Sequence, residues 1–244
     1  MVTKDLLSPQ FLIQLIEKQR YGVEYQPIVD ANSQDIYAFE CLSRFYDDSN
    51  KPIPPDIVYA SLHKSPLSLF QVEYQQKILQ LSNAPDNVKI FVNLDQDSYF
   101  SCGIEGKDNP FLKLFNNYHK KNIVVELIEN SEINDAIMSL SMIDTLSNNR
   151  INTAIDDVCE PQSVISTAVI QLVDFIKLGR YVVLNRDNEN LLHLVNSIIN
   201  YAHISGKKVI LEGVETRADL LFATKINVDY VQGYLYRDRF INVS

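Results

Sequence analysis

Seven places along the chain carry polar residues at or near the ends of short apolar runs. They are Glu40, Asn93, Glu126, the pair Asp156-Asp157, Lys177, Glu212 and Gln232. Taken singly, a carboxylate in such a place most often caps a helix or pairs with a surface cation. Taken together the five carboxylates imply more, because anions facing one cavity repel one another and lose hydration. Such a cluster either takes up protons or holds divalent cations. Consecutive aspartates suit the second outcome, since one carboxylate can bridge two metals while its neighbour serves only one. Oxygen donors with a single amide favour magnesium or manganese over zinc. Lys177 ends the run Val173-Asp174-Phe175-Ile176, where a solvated lysine would be costly, so a role beside a metal-bound water or a phosphate is preferred to a surface role.

The elements that must position these residues read as alternating strands and helices. Strands are expected at Val23–Val29, Tyr37–Leu42, Lys89–Leu94, Ile123–Ile128, Asn152–Ile155, Phe175–Leu178, Lys208–Leu211 and Tyr230–Gln232. Only seven residues, Asp30 to Ile36, join the first two, which is a hairpin length, so the first strand should run antiparallel. The later connections are long enough for parallel crossovers. The economical fold is α/β, a modified TIM (β/α)8 barrel with an antiparallel first strand. The same alternation would also suit an open doubly wound sheet.

Helix starts are expected at Ser8 before Pro9, at Asp108 or Asn109 before Pro110, and at Thr216 with Asp219 three residues on. Phe111, Leu114, Phe115 and Tyr118 form one apolar stripe; Leu191, Leu194, Val195, Ile198, Ile199 and Ala202 form another. Polar segments Tyr46–Pro55 and Ser101–Asp108 read as surface loops. No Pro- or Gly-rich linker divides the chain, which is expected to form a single domain over 1–244, with an N-terminal helix in 1–20 and the barrel in 21–240.

Composition narrows the function. Of 244 residues 46% are hydrophobic and 22% charged, which suits a globule with a sizeable core. A net charge of −9 argues against DNA as a partner, which would need lysines and arginines to replace counterions. Seven glycines form neither a G-x-G-x-x-G nor a Walker loop, and four scattered histidines lack zinc spacing. No apolar run is long enough to span a bilayer, Met1–Arg20 lacks a signal-peptide core, and the three cysteines form no disulfide framework. A cytoplasmic setting is expected.

Several motifs in order resemble the EAL-domain cyclic di-GMP phosphodiesterases. Phe39-Glu40-Cys41-Leu42-Ser43-Arg44 resembles the E-A-L-x-R motif, Phe91-Val92-Asn93-Leu94 the asparagine strand, and Val125-Glu126-Leu127-Ile128-Glu129 the E-x-T-E strand. Ile155-Asp156-Asp157 matches the paired aspartates and Phe175-Ile176-Lys177 the lysine strand. Leu211-Glu212-Gly213-Val214-Glu215-Thr216 is close to A-E-G-V-E-T, and Val231-Gln232-Gly233-Tyr234 contains Q-G-Y. The resemblance runs from about Tyr21 to Phe240.

It implies hydrolysis of cyclic di-GMP to linear pGpG with two divalent cations, Mg2+ or Mn2+. Glu40, Asn93, Glu126 and Asp156 would hold the first cation; Asp156, Asp157 and Glu212 the second. Catalytic roles would fall to Lys177, which positions the attacking water, and to Glu212 and Glu40. Arg44, Gln232 and Leu42 would contact substrate, and Glu129 and Glu215 would anchor the loop after the aspartates.

The resemblance is incomplete in that loop. The family's F-G-T-G-Y-S-S reads here Val158-Cys159-Glu160-Pro161-Gln162-Ser163-Val164. With Cys159 and Pro161 in place of two glycines, the loop is expected to be stiffer and barred from left-handed backbone geometries. Gly179 stands where an aspartate is usual, Leu211 where an alanine is, and Arg239 where a proline is. Alternatives therefore stay open: a phosphodiesterase of reduced activity, a catalytically weak or inactive cyclic di-GMP receptor or protein-interaction module, or an unrelated metal-dependent barrel hydrolase. A homodimer is left open, as is a protein partner if the chain is inactive.

Overall fold

The computed structural model describes residues 6–104, 106–118, 122–127, 133–163 and 166–243. Helix α1 (Pro9–Glu17) precedes the hairpin β1 (Tyr21–Asp30) and β2 (Ile36–Tyr46). Then come β3 (Pro52–Ile53), α2 (Pro55–Leu62), α3 (Pro66–Ser82), β4 (Lys89–Asn93), α4 (Gln96–Ser101), α5 (Pro110–Asn117), β5 (Ile123–Leu127) and α6 (Ile133–Asn148). The chain continues through β6 (Asn152–Val158), α7 (Thr167–Leu172), β7 (Phe175–Leu178), α8 (Tyr181–Leu184), α9 (Glu189–Ile204), β8 (Lys208–Leu211), α10 (Arg217–Lys225), β9 (Tyr230–Val231) and β10 (Ile241–Val243).

Eight of these strands close a ring in the order β1-β2-β4-β5-β6-β7-β8-β9. Strand β1 is antiparallel to both of its ring neighbours, β2 and β9, and all the other ring pairs are parallel. Closure removes the free sheet edges, and it decides between the barrel and the open sheet that the alternation also allowed.

Two short strands extend the ring beyond what the sequence suggested. Strand β10 pairs with β1 (Val23 with Val243) and β3 pairs with β2 (Phe45 with Ile53), so Tyr46–Pro55 is not simply a loop. The Asp47 carboxylate explains that turn, since it accepts from the amides of Ser49 and Lys51 and folds the chain back on itself.

Capping follows the expected chemistry. Ser8 accepts from the Phe11 amide and Asn109, not Asp108, from that of Phe111. Thr216 and Asp219 satisfy each other's backbone in a full capping box. The α9 stripe is narrower than expected. Val195, Ile198, Ile199 and Ala202 are buried, but Leu194 is 46% exposed because it lies on the outer flank of the helix.

Inside the ring, one residue from each strand meets in a single apolar cluster: Ile28, Ala38, Phe91, Val124, Ala154, Phe175, Ile210 and Tyr230. Phe91 and Phe175 meet edge to face, with centroids 5.1 Å apart. This plug is the floor on which the site stands.

Candidate active site

Side chains two residues apart on a strand share a face. Stepping two residues on from the floor along the parallel strands gives Glu40, Asn93, Glu126, Asp156, Lys177, Glu212 and Gln232. Each polar candidate thus stands one level above an apolar partner. Strand β1 runs the other way, so its member of the upper level lies two residues earlier. It is Gln26, which is in register with Glu40 and lines the same cavity. Sequence reasoning missed Gln26, although the antiparallel hairpin that places it there was foreseen.

Asp157 is brought to the same mouth by a different device. Between the pairs Ile155–Ile176 and Val158–Leu178, β6 carries two residues where β7 carries only Lys177. The extra residue makes a β-bulge, and Asp157 takes a left-handed backbone with φ 57°. Aspartate tolerates that region better than most residues.

Lys177 is fully buried at the centre of the acids. Its Nζ lies 2.8 Å from Glu212, 2.9 Å from Glu126, 3.0 Å from Asp156 and 3.5 Å from Glu40. Burial would lower the lysine's pKa, but the charges of Asp156, Glu126, Glu212 and Glu40 hold it well above its ordinary value. Burial also works against ionised Glu40. The ammonium of Lys177 and the amides of Gln232 and Asn93, both donating to Glu40, outweigh it and keep that carboxyl below its usual range.

Glu126 is pushed well above the carboxylate range by burial and by Glu40's charge, which Lys177 offsets only in part. Burial, aided by Asp156 against Lys177, pushes Glu212 up to about 8. Burial and Asp156 raise Asp157 to about 6.

These groups fit divalent cations. Ligand atoms of Glu40, Glu126 and Asp156 lie within 4.8 Å of one another, and so do those of Asp156, Asp157 and Glu212, so Asp156 belongs to both sets. Oε1 of Glu126 and Oδ1 of Asp156 are buried and face the Lys177 ammonium at 2.9 and 3.0 Å, and each carboxylate keeps further lone pairs that a cation could take. With all five carboxylates ionised, they and the Lys177 ammonium sum to four negative charges, the charge that two divalent cations would neutralise.

Above the acids opens a cavity of about 320 Å³ lined by Gln26, Glu40, Leu42, Arg180, Glu212 and Gln232, among others. Gly233 allows the chain to turn there, since a Cβ would strike the backbone of Val214 and its φ is 155°. Leu42 also borders a second cavity of about 300 Å³, with Arg44, Tyr59 and Asp95 on its wall.

The remaining candidates lie away from the acid cluster. Arg44 is turned onto Glu24, 2.5 Å away, and onto the carbonyl of Ser43. Glu215 pairs at 2.9 Å with Arg180, so its partner is the turn after β7. Glu129 lies outside the described residues. His63, Asp95 and Asp97 also cluster, but Asp95 caps α4 through Ser98 and pairs with His63 at 2.9 Å, so that group already satisfies itself.

One expectation fails. Cys159 has a φ of 71°, inside the left-handed region from which the altered loop was expected to be barred. Surrounding bonds over-determine it: the Glu160 amide donates to Asp157, and the Gly179 amide to Val158, on either side of the residue.

Comparison with known proteins gives one family. The profile described as EAL domain matches residues 10–238. The cyclic di-GMP phosphodiesterase PdeL of Escherichia coli K12 is 27% identical over 241 residues, which cover 95% of this chain and 66% of that protein. Across six of the curated relatives it matches, the chain spans from 31% to 66% of their lengths. An EAL domain protein from Listeria monocytogenes EGD-e superposes with a TM-score of 0.74 at 21% identity, over 96% of this chain and 94% of its own. The Bacillus subtilis YkuI protein, solved with its substrate c-di-GMP and calcium, gives a TM-score of 0.75 at 21% identity, over 95% and 58%. Likeness at this identity establishes a shared fold.

Proposed function

The chain belongs to the EAL domain family, and on that premise we propose that it is a metal-dependent phosphodiesterase that hydrolyses cyclic di-GMP to linear pGpG. The observation that carries the reading is the double membership of Asp156, whose carboxylate completes one ligand set with Glu40 and Glu126 and another with Asp157 and Glu212. All of these donors are oxygens, which suits Mg2+ or Mn2+. Two such cations, when bound, activate a water and draw charge from the phosphoryl oxygens.

The chain's own groups prepare that chemistry. Lys177 keeps the acids together and is the group best placed to orient a water beside them. Asn93 and Gln232 hold both oxygens of Glu40 and fix its direction. The apolar floor closes the barrel beneath the acids and excludes solvent from that side. In the net reaction water adds to phosphorus, one P–O3′ bond breaks, and the sugar oxygen leaves with a proton as the new hydroxyl.

Leu42, Gln26 and Gln232 line the cavity where the nucleotide would lie. Arg44 suits phosphate as a guanidinium fork once it releases Glu24. No described helix is long and apolar enough to cross a membrane, which fits a role in the cytoplasm on a diffusible nucleotide.

The test is incubation with cyclic di-GMP and Mg2+ or Mn2+, followed by chromatography for pGpG. Turnover that disappears in Glu40→Ala supports the reading. Intact nucleotide together with measurable binding would make the protein a receptor instead.

A further inference from the structure

Two departures from the family pattern, the segment after the paired aspartates and the glycine after the lysine strand, are packed against each other. The Glu160 side chain lies across Gly179 so closely that a Cβ there would sit 2.6 Å from its Cγ and 2.9 Å from its Cδ. Gly179 does not have a positive φ, so its lack of a side chain serves packing and not backbone freedom. From that seat Glu160 Oε1 accepts from the Tyr181 amide at 2.9 Å, where α8 begins with no side-chain cap of its own. The Gly179 amide donates to Val158 at 2.9 Å, and the Glu160 amide donates back to the Asp157 carbonyl at 3.1 Å. These three bonds close a small ring around the bulge that carries Asp157, only two residues from Lys177 on the neighbouring strand.

We propose that Glu160 is a positioning residue for the second cation set: seated over Gly179, its carboxylate latches the 157–163 segment to the exit of β7 and so fixes the direction of Asp157. The inference rests on the two-cation reading above. Asp157 is the set's only ligand with a left-handed backbone, so it depends most on such support. Glu40 and Glu126 stand on regular ladder positions, and Asp156, the other residue of the bulge, has no left-handed backbone, so they need it less. Groups that orient a ligand from behind commonly change metal affinity by tenfold or more.

Calorimetric titration of the full chain with Mn2+ tests this without reference to turnover. Glu160→Ala removes the latch, whereas Gly179→Ala evicts it with its charge intact. Each should weaken the second cation about tenfold and leave the first unchanged. The double variant should be no worse than either single one, because both act through one contact. Glu160→Gln keeps an acceptor for Tyr181 and should restore most of the loss. A second-site affinity within about twofold of wild type in both single variants overturns the inference, and so does equal weakening of both sites, the result of general loosening. A wild-type chain that takes up no second cation overturns it together with the reading beneath it.

Discussion

Two levels of the barrel interior differ by two residues along every ring strand and share almost nothing else. The lower is Ile28, Ala38, Phe91, Val124, Ala154, Phe175, Ile210 and Tyr230; the upper is Gln26, Glu40, Asn93, Glu126, Asp156, Lys177, Glu212 and Gln232. The lower level stabilises by burying apolar surface in close contact. The upper one gathers buried acids around one lysine and works against folding until something neutralises them. One backbone periodicity serves both, which shows where the fold concentrates its stability and where it concentrates its chemistry.

The comparison can be broken most forcefully from below. Phe175→Ala removes a ring packed on Phe91 and should cost about 3 to 5 kcal/mol by chemical denaturation, with or without divalent cation. A loss that Mn2+ abolished would mean the two levels are not separable.

Next in size is the response of the upper level to cations. At a hundredfold excess over its dissociation constant, a bound cation should stabilise the chain by about 2.7 kcal/mol per site, read as a rise in melting temperature. The same experiment has a pH signature. Glu212 is raised from 4.5 to about 8, so between those values the folded chain holds a proton that the unfolded chain has lost. The contribution of Glu212 to the stability of the cation-free chain should therefore be fullest below pH about 4.5 and be lost as pH rises toward about 8, read as the difference between wild type and Glu212→Gln. Saturating Mn2+ should flatten that slope.

A smaller effect sharpens the contrast. Glu126→Gln resembles the protonated acid that burial already favours, so its cation-free melting temperature should equal or exceed that of wild type while most of the gain from Mn2+ disappears. A clear drop in the cation-free melt would contradict the strained upper level. The smallest change lies outside both levels: Thr216→Ala opens the α10 capping box and should cost about 1 kcal/mol by denaturation, with no change in Mn2+ affinity.

Much of this arrangement was legible in the sequence because period two and hairpin length are local signals. They gave the ring, the antiparallel β1 and the strands whose ends carry the acids. Gln26 escaped because finding it requires counting backwards on one strand, a step that depends on closure. Asp157 was found as half of a pair, but not the bulge that turns it inward, since pairing between distant strands leaves no mark on either one alone. Cys159 was misread for a related reason: residue type suggested a forbidden backbone, whereas bonds from Glu160 and Gly179 hold it there. Leu194 has the helical spacing of the core stripe but lies at its outer margin.

The most direct test is anomalous diffraction from crystals grown with Mn2+. Two peaks about 3.5 to 4 Å apart are expected, both within ligand distance of Asp156, with Glu40 and Glu126 on one side and Asp157 and Glu212 on the other. A single peak, or Asp156 turned away from either set, would contradict the account.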